Sequence, residues 1–518
     1  MPTNKISAKL ARPAFGPLAP KHQSALPELL TLGQERLVET LSLALKKPDA
    51  NQHLLVGYYS DIDEDLLVDA IQARFKISSA YVNQSTTKAK LIGTKESPGL
   101  IANTDLLVIS AECLVRQKQI AKALLTEIQT GCQAVVMILG RIHWLDYLRE
   151  QHEGINAGFP LVTELMHEIT ANSDNLQSYV DYLFQLANAA QVELADSAYP
   201  ELMGYASWQC EHQQKLTLAS RPLLNLIRQG QLFSEGQQVT GDDIGKAWTH
   251  RNYRVNVQQA LSLQSFTEDF VRLKTQGLEV GQINALTVID SQDFSYGEPA
   301  RVTATVHYGD GEVADIERKS ELGGNIHAKG MMILSACLYR IFGKDEPLHL
   351  NANIVFEQSY QEIDGDSASL AEYCALISAI SEVPVNQELA VTGAIDQFGQ
   401  VQAIGGVNEK VEGFYRLCQA RGLSGQQGVL LPSSNIVQLH LDPEIVEAIE
   451  KEKFHLYAVD HIDQAIELLL GKSVGIADER GRFSEDSVYA LVQARLEQLA
   501  GEIDEPLSIW QRLINKLT

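Results

Sequence analysis

Three short apolar runs in the first third of the chain, HLLVGYY (53–59), DLLVIS (105–110) and AVVMIL (134–139), constrain the fold more than any other feature. Each is too short for a core helix and reads as a buried strand. Helical patterns at 35–45, 65–74 and 116–129 alternate with them, and such alternation implies a parallel sheet covered by helices. From about 160 to 262 the pattern is helical almost throughout, with Thr240 in VTGDDIGKAWTHRNYR as an N-cap. Near 265–280 the character changes. INALTVID, ARVTATVHY and ANIVFEQSY are β-rich, with a GDG turn at 309–311, and two helical patterns interleave with them at 329–342 and 369–380. GVLLPS (428–433) precedes a helix that opens on Asp442-Pro443, an N-cap/N1 pair.

This pattern divides the 518 residues into a lead-in (1–34), an α/β domain (35–159), a helical lid (160–265), an α+β domain (266–475) and a helical tail (476–518). On the tail, Val488, Leu491, Val492, Leu496 and Leu499 form an apolar stripe suited to packing on the α+β domain or on another subunit. Acidic residues outnumber Lys plus Arg by 66 to 42, for a formal net charge of −24. That excess disfavours general binding to nucleic acid or anionic membranes. Six scattered cysteines with no C-x-x-C pair read as reduced thiols, and the histidines lack metal-ligand spacing, so no metal is expected. The first residues have no apolar signal core, and no segment approaches the roughly 20 apolar residues of a membrane span. The expectation is a cytoplasmic protein.

Chemistry concentrates in two segments. In DGDSASLAEYCALISAI (364–380), Leu370, Tyr373, Cys374, Ile377 and Ile380 fall at helical spacing, so a buried helix starts near Ser367. Backbone N–H groups at such a junction favour a negative oxygen. In VQAIGGVNEKVEGFYRLCQARG, Lys410 lies beside the apolar stripe of Val407, Val411, Phe414 and Cys418. To act as a base at neutral pH its pKa must fall from ~10.4 to ~7, about 4 kcal/mol, which burial can supply. Taken alone, Ser367 reads as a helix cap and Lys410 as a solvated surface lysine.

Together these segments resemble the proteolytic domain of the Lon proteases, most closely the LonB-like branch, over about 281–471. The resemblance is carried by GDSAS (365–369) and VTGAIDQFGQVQAIGGVNEK (391–410), supported by ELGGNIHAKG (321–330), VFEQSYQEIDGDSAS (355–369) and GVLLPSSN (428–435). It implies Ser367 as nucleophile and Lys410 as the base of a Ser–Lys dyad. Thr392 would orient the lysine amine, Asp366 would be the acid beside the nucleophile, and N–H groups from Asp366 to Ala368 would hold the oxyanion. The strand from Ile354 to Tyr360 is expected as an edge for an extended polypeptide substrate. His327, in NIHAKG, is a competing base with no role that the resemblance assigns.

Residues 35–262 resemble, in order, the AAA+ ATPase module that Lon proteases couple to this domain, but the phosphate machinery is missing. A P-loop needs G-x-x-x-x-G-K-[ST] after the first strand. Counting from Gly57, Ile62 stands at the second glycine, Asp63 at the lysine and Glu64 at the Ser/Thr, while Ser110 and Ala111 replace the Walker B acids. Arg221 is the nearest sensor arginine, and it is displaced. The acidic run Asp61, Asp63, Glu64, Asp65 would repel a triphosphate. The expected fold is therefore a degenerate AAA-like α/β domain with a helical lid, followed by an α+β Lon proteolytic domain. The expected function is an endopeptidase without its own ATP cofactor, acting on unstructured polypeptides as a homo-oligomer, with hexamers common in the family. A silent peptide-binding scaffold, or a protease with an unrecognised nucleotide site, are the competing readings.

Overall fold

The computed structural model describes residues 4–21, 32–48, 52–94, 96–291, 294–309, 313–319, 323–343, 348–359 and 364–501. Two compact units emerge, residues 14–251 and residues 1–13 with 252–518.

In the first unit the apolar runs form β1 (Leu54–Tyr58), β3 (Leu106–Ser110) and β4 (Val135–Arg141), joined by β2 (Ser79–Val82) and β5 (Leu161–Glu164). All five are parallel, in the order β2-β3-β4-β1-β5. Successive side chains on a strand point to opposite faces. Leu54 and Val56 accordingly pack under α1 (Glu35–Lys46) and α2 (Glu64–Phe75), while Leu55, Leu107 and Ile109 pack under α3 (Lys118–Thr130). Both faces are covered, which is why these strands are unbroken apolar runs.

The helical reading from residue 160 needs correction. Leu161–Glu164 completes the parallel sheet, with Leu161 opposite Leu54, and Glu168–Thr170 pairs with Lys215–Thr217 in a small ribbon. The open edge of β1 outweighs helix formation in a segment confined between Pro160 and Asn172. Helices α4 (Ser173–Ala190), α5 (Ala198–Gln209), α6 (Ser220–Gln231) and α7 (Gly241–Val255) follow. Thr240 caps α7 reciprocally: its Oγ1 accepts the Asp243 N–H (3.3 Å), and the Asp243 carboxylate accepts the Thr240 N–H (2.9 Å).

The second unit opens with α8 (Val257–Thr267) and is built on seven strands: β6 (Gln282–Asp290), β7 (Ser295–Tyr308), β8 (Val313–Asp315), β9 (Leu350–Glu357), β10 (Leu389–Val391), β11 (Gly428–Pro432) and β12 (His455–Val459). Their order is β8-β9-β7-β6-β10-β11-β12, antiparallel across β9-β7-β6 and parallel elsewhere. One face carries α9 (Asn325–Phe342), α10 (Ser369–Ser381), α12 (Ile462–Leu470) and α13 (Val488–Gly501) in a single core. The other face carries α11 (Val407–Arg421) and the helix Pro443–Glu450.

The lead-in holds structure of its own, and the tail takes the first of its two expected partners. The lead-in is not merely extended: Ala8–Ala11 is helical, Ile6 is buried, and the Ile6 N–H donates to the Leu456 carbonyl (2.8 Å). The tail helix buries Val488, Val492, Leu496 and Leu499 against the α10 side of the core. Residues 1–3, 22–31 and 502–518 of those two segments lie outside the described residues. The edge expected from Ile354 to Tyr360 is also partly closed. β8 pairs with β9 through Ile354, and the Glu317 carboxylate accepts the Phe356 N–H (3.0 Å); Tyr360 lies outside the described residues.

Candidate active site

Ser367 stands in the turn that leads into α10, with Gly365 at φ +132° reversing the chain just before it. Ala368, buried, takes the N-cap position, and no side chain caps the helix. The Ser367 hydroxyl is committed elsewhere, to Lys410 Nζ at 2.8 Å. Its own carbonyl accepts the Gly393 N–H (2.9 Å) and the Thr392 hydroxyl (3.3 Å). Thr392, expected to orient the amine, bonds the backbone of Ser367, because the chain leaving β10 runs directly beside the turn. A second tie joins the same segments, as Ser369 Oγ accepts the Ile395 N–H (3.1 Å).

Lys410 lies on the first turn of α11, three per cent exposed. Burial lowers its pKa to about 8, against the opposing pull of the Asp366 and Glu409 charges. The helix comes this close because glycines meet where it crosses β7. A Cβ on Gly297 would sit 1.9 Å from the Glu409 carbonyl oxygen, and one on Gly413 would sit 2.2 Å from the Gly297 oxygen. Nothing local in the sequence marks that pair.

Helix α9 buttresses the turn. The Asp364 carboxylate accepts the Ile326 N–H (3.0 Å) at its N-terminus, and a Cβ on Gly330 would lie 3.3 Å from that of Asp366. His327 is buried on the same helix with its Nε2 3.7 Å from Glu372 of α10, while the hydroxyl of Ser367 is served by Lys410. A cleft of about 300 Å³ opens beside Ser367 and Ala368.

The buried amine makes a stability prediction. Lowering a lysine pKa from 10.5 to about 8 costs about 3 kcal/mol below pH 8, of which the Ser367 hydrogen bond returns about 1. Lys410→Met is therefore expected to raise stability at pH 7 by about 2 kcal/mol in urea unfolding. Between pH 8 and 10.5 the unfolded lysine still holds a proton that the folded one has released, so wild-type stability rises with pH and the gap closes. A gap that is absent at pH 7, or that widens on going to pH 10, would show that the amine is not desolvated.

In the other unit the segment at the P-loop position is occupied by its own side chains. Asp63 caps α2, its carboxylate accepting the Leu66 N–H (3.1 Å), at the helix end where a P-loop would set phosphate. The Asp63 N–H donates to Ser220 Oγ (2.7 Å) and the Arg221 N–H to the Asp61 carbonyl (3.2 Å). The Asp61 carboxylate pairs with Arg141 (3.1 Å) and faces Arg221 (4.0 Å). Glu64 accepts from both Tyr58 (2.6 Å) and Tyr81. Ser110 ends β3 and Ala111 begins a short helix, so no carboxylate stands at either position. The space left between the Asp63 loop and Ser220 is about 40 Å³. Among the described residues no helix is long and apolar enough to cross a membrane.

Residues 344–472 match the family model of the Lon protease C-terminal proteolytic domain, and residues 193–254 match the AAA+ ATPase LID domain of archaeal LonB. A Haemophilus influenzae protein named "Putative Lon protease homolog" is 35% identical over 80% of this chain and 72% of its own length. An Escherichia coli K12 protein of the same name is 43% identical over 53% of this chain, and the match spans about half (47%) of that relative's length. An archaeal Lon protease from Thermoplasma volcanium is 26% identical over 62% of the chain and 48% of its own length. The match to the Haemophilus relative is long enough to settle kinship, and the chain belongs to the Lon protease family.

Proposed function

We propose that the chain is a serine endopeptidase that hydrolyses unstructured polypeptides through Ser367 and Lys410, without ATP of its own. The observation that carries this reading is the 2.8 Å contact between a buried amine and the hydroxyl at the helix start. Neutral Lys410 takes the Ser367 proton as Oγ attacks the scissile carbonyl. The N–H groups of Ser367 and Ala368, which donate to no acceptor among the described residues, receive the oxyanion. Lysine then protonates the leaving amine, and water, deprotonated by the same lysine, hydrolyses the acyl-enzyme.

Independence from ATP is supported by the first unit. A space of about 40 Å³ is far below the ~300 Å³ of a small-molecule site, and Asp63 satisfies the helix terminus that would hold phosphate. The unit then serves as a degenerate AAA-like collar in a cytoplasmic homo-oligomer. Cleavage of casein and of a fluorogenic peptide is expected to be unchanged, within about twofold, by ATP–Mg, with no nucleotide bound in calorimetry at millimolar concentration. Stimulation by ATP with measurable binding would refute the pseudo-ATPase part. No cleavage under any condition would refute the peptidase part.

A further inference from the structure

The cleft beside Ser367 has one wall that belongs neither to the sheet nor to the helices on it. Residues 266–273, the last two residues of α8 and the segment that follows it, bring Phe266 and Val271 into the cleft lining with Ser367 and Ala368. Two side chains from separate elements hold this strap. Gln358, the residue after β9, donates Nε2 to the Phe270 carbonyl (2.9 Å) and accepts the Arg272 N–H on Oε1 (2.8 Å). One amide thus reproduces the paired bonds of a neighbouring strand. Arg421, at the end of α11, donates to the carbonyls of Phe266 (2.7 Å) and Leu273 (2.6 Å) and pairs with Asp269 (3.5 Å). Phe266 and Leu273 are buried together against Leu417. Gln358 holds its position at φ +56°, a conformation uncommon outside glycine, asparagine and aspartate. Strain of that kind persists where surrounding contacts over-determine it, and it clusters at functional sites.

The remaining lining says what the wall selects. Leu286, Val288, Pro299 and Phe356 give the cleft an apolar surface. Its charged groups each face a neighbour: Arg301 stands 3.7 Å from Glu357, with its buried Nε unbonded among the described residues, Glu357 also accepts from Thr303, Glu298 accepts from Ser262, and Asp364 accepts the Ile326 N–H. Since each of these charges already faces a neighbour, a charged side chain entering here gives up its hydration for little new pairing. A volume of about 300 Å³ is the lower limit for a ligand site, enough for a large side chain and too little for folded structure.

We infer that the 266–273 strap is the specificity wall of this cleft, with Phe266 and Val271 setting the size of the apolar side chain admitted beside the scissile bond and Gln358 and Arg421 as positioning residues that hold the wall. The inference rests on the peptidase reading for its biological meaning, but its test does not need turnover. In a Ser367→Ala background, fluorescein-labelled peptides differing at one position (Ala, Leu, Phe or Lys) are titrated and followed by anisotropy. Turnover of the same peptides is measured with Ser367 intact.

Phe and Leu peptides are expected to bind at least tenfold more tightly than Ala or Lys peptides. Val271→Trp, which fills the cleft, is expected to cut the Phe-to-Ala preference at least tenfold, while Val271→Ala shifts preference toward Phe over Leu. Gln358→Gly tolerates the backbone conformation and removes both amide bonds. It is expected to flatten the preference and to raise KM by more than it lowers kcat, a split that general destabilisation would not give. Circular dichroism checks that each variant folds, and the conservative Val271→Ala keeps the question answerable where Val271→Trp does not. A rank order unmoved by the Val271 and Gln358 variants overturns the inference, as does failure of the Ser367→Ala protein to bind any peptide. Normal binding with no turnover by wild type overturns the peptidase reading alone.

Discussion

Ser367→Ala and Lys410→Ala are each expected to lower kcat/KM for peptide hydrolysis by about 10³-fold or more, and the double variant no further. Residues that act as one unit fail together: the hydroxyl has no base without Lys410, and the amine has no nucleophile without Ser367. Lys410→Arg is expected to be as inactive as Lys410→Ala, because guanidinium stays protonated and cannot accept the proton. In wild type, kcat/KM is expected to rise with pH and level off above about 8, since only the free amine is productive and burial sets its pKa there. Steady-state kinetics from pH 6 to 9.5 with one fluorogenic peptide checks all of this. More than a tenth of wild-type activity in either alanine variant, or a rate that falls through pH 8, would remove the dyad from the mechanism.

The pairing of Ser367 with Lys410 was expected only through the Lon resemblance of two contiguous motifs, because their local signals, a turn before a buried helix and a lysine beside an apolar stripe, read on their own as a cap and a surface lysine. What those motifs lean on was not legible. Thr392 could be placed near the site, but its bond to the Ser367 carbonyl depends on how the exit from β10 runs past the turn. The N-cap reading of Ser367 failed because Ala368 takes that position and no side chain bonds the helix end. The strap at 266–273 falls on a domain boundary, where the sequence showed only a change of character, and residues distant in sequence, Gln358, Leu417 and Arg421, hold it in the cleft wall. Likewise the acidic run at 61–65 announced that phosphate would be repelled. It gave no hint that Asp63 would cap α2 and meet Ser220, or that Glu64 would be held by two tyrosines. Fifth strands and covered edges follow the same rule. Leu161–Glu164 and Val313–Asp315 are short, and their pairing is decided by an open neighbouring strand rather than by their own composition.

Gly297→Ala is expected to destabilise the protein by about 2–4 kcal/mol and to lower kcat/KM by about 10²-fold, although the residue touches neither Ser367 nor substrate. The new Cβ would lie 1.9 Å from the Glu409 oxygen and 2.7 Å from the Lys410 Cα, both backbone atoms that no rotamer change can withdraw. Relief requires β7 and α11 to separate by about 1 Å or more, a distance set by ordinary contact radii. That movement carries Lys410 away from a hydroxyl it reaches at 2.8 Å. Gly413→Ala meets the Gly297 carbonyl from the opposite side at 2.2 Å and forces the same separation. The two substitutions are therefore expected to be less than additive in both stability and rate, because the second finds the helix already displaced. Gly245→Ala, inside α7 with open space where its Cβ would go, serves as the control and is expected to leave the rate unchanged while raising stability by about 0.5–1 kcal/mol through helix propensity. Urea unfolding and kcat/KM on the four variants decide the matter. Full additivity, or a stability loss with the rate intact, would mean that the glycine contact sets packing alone and that the reach of Lys410 is fixed elsewhere.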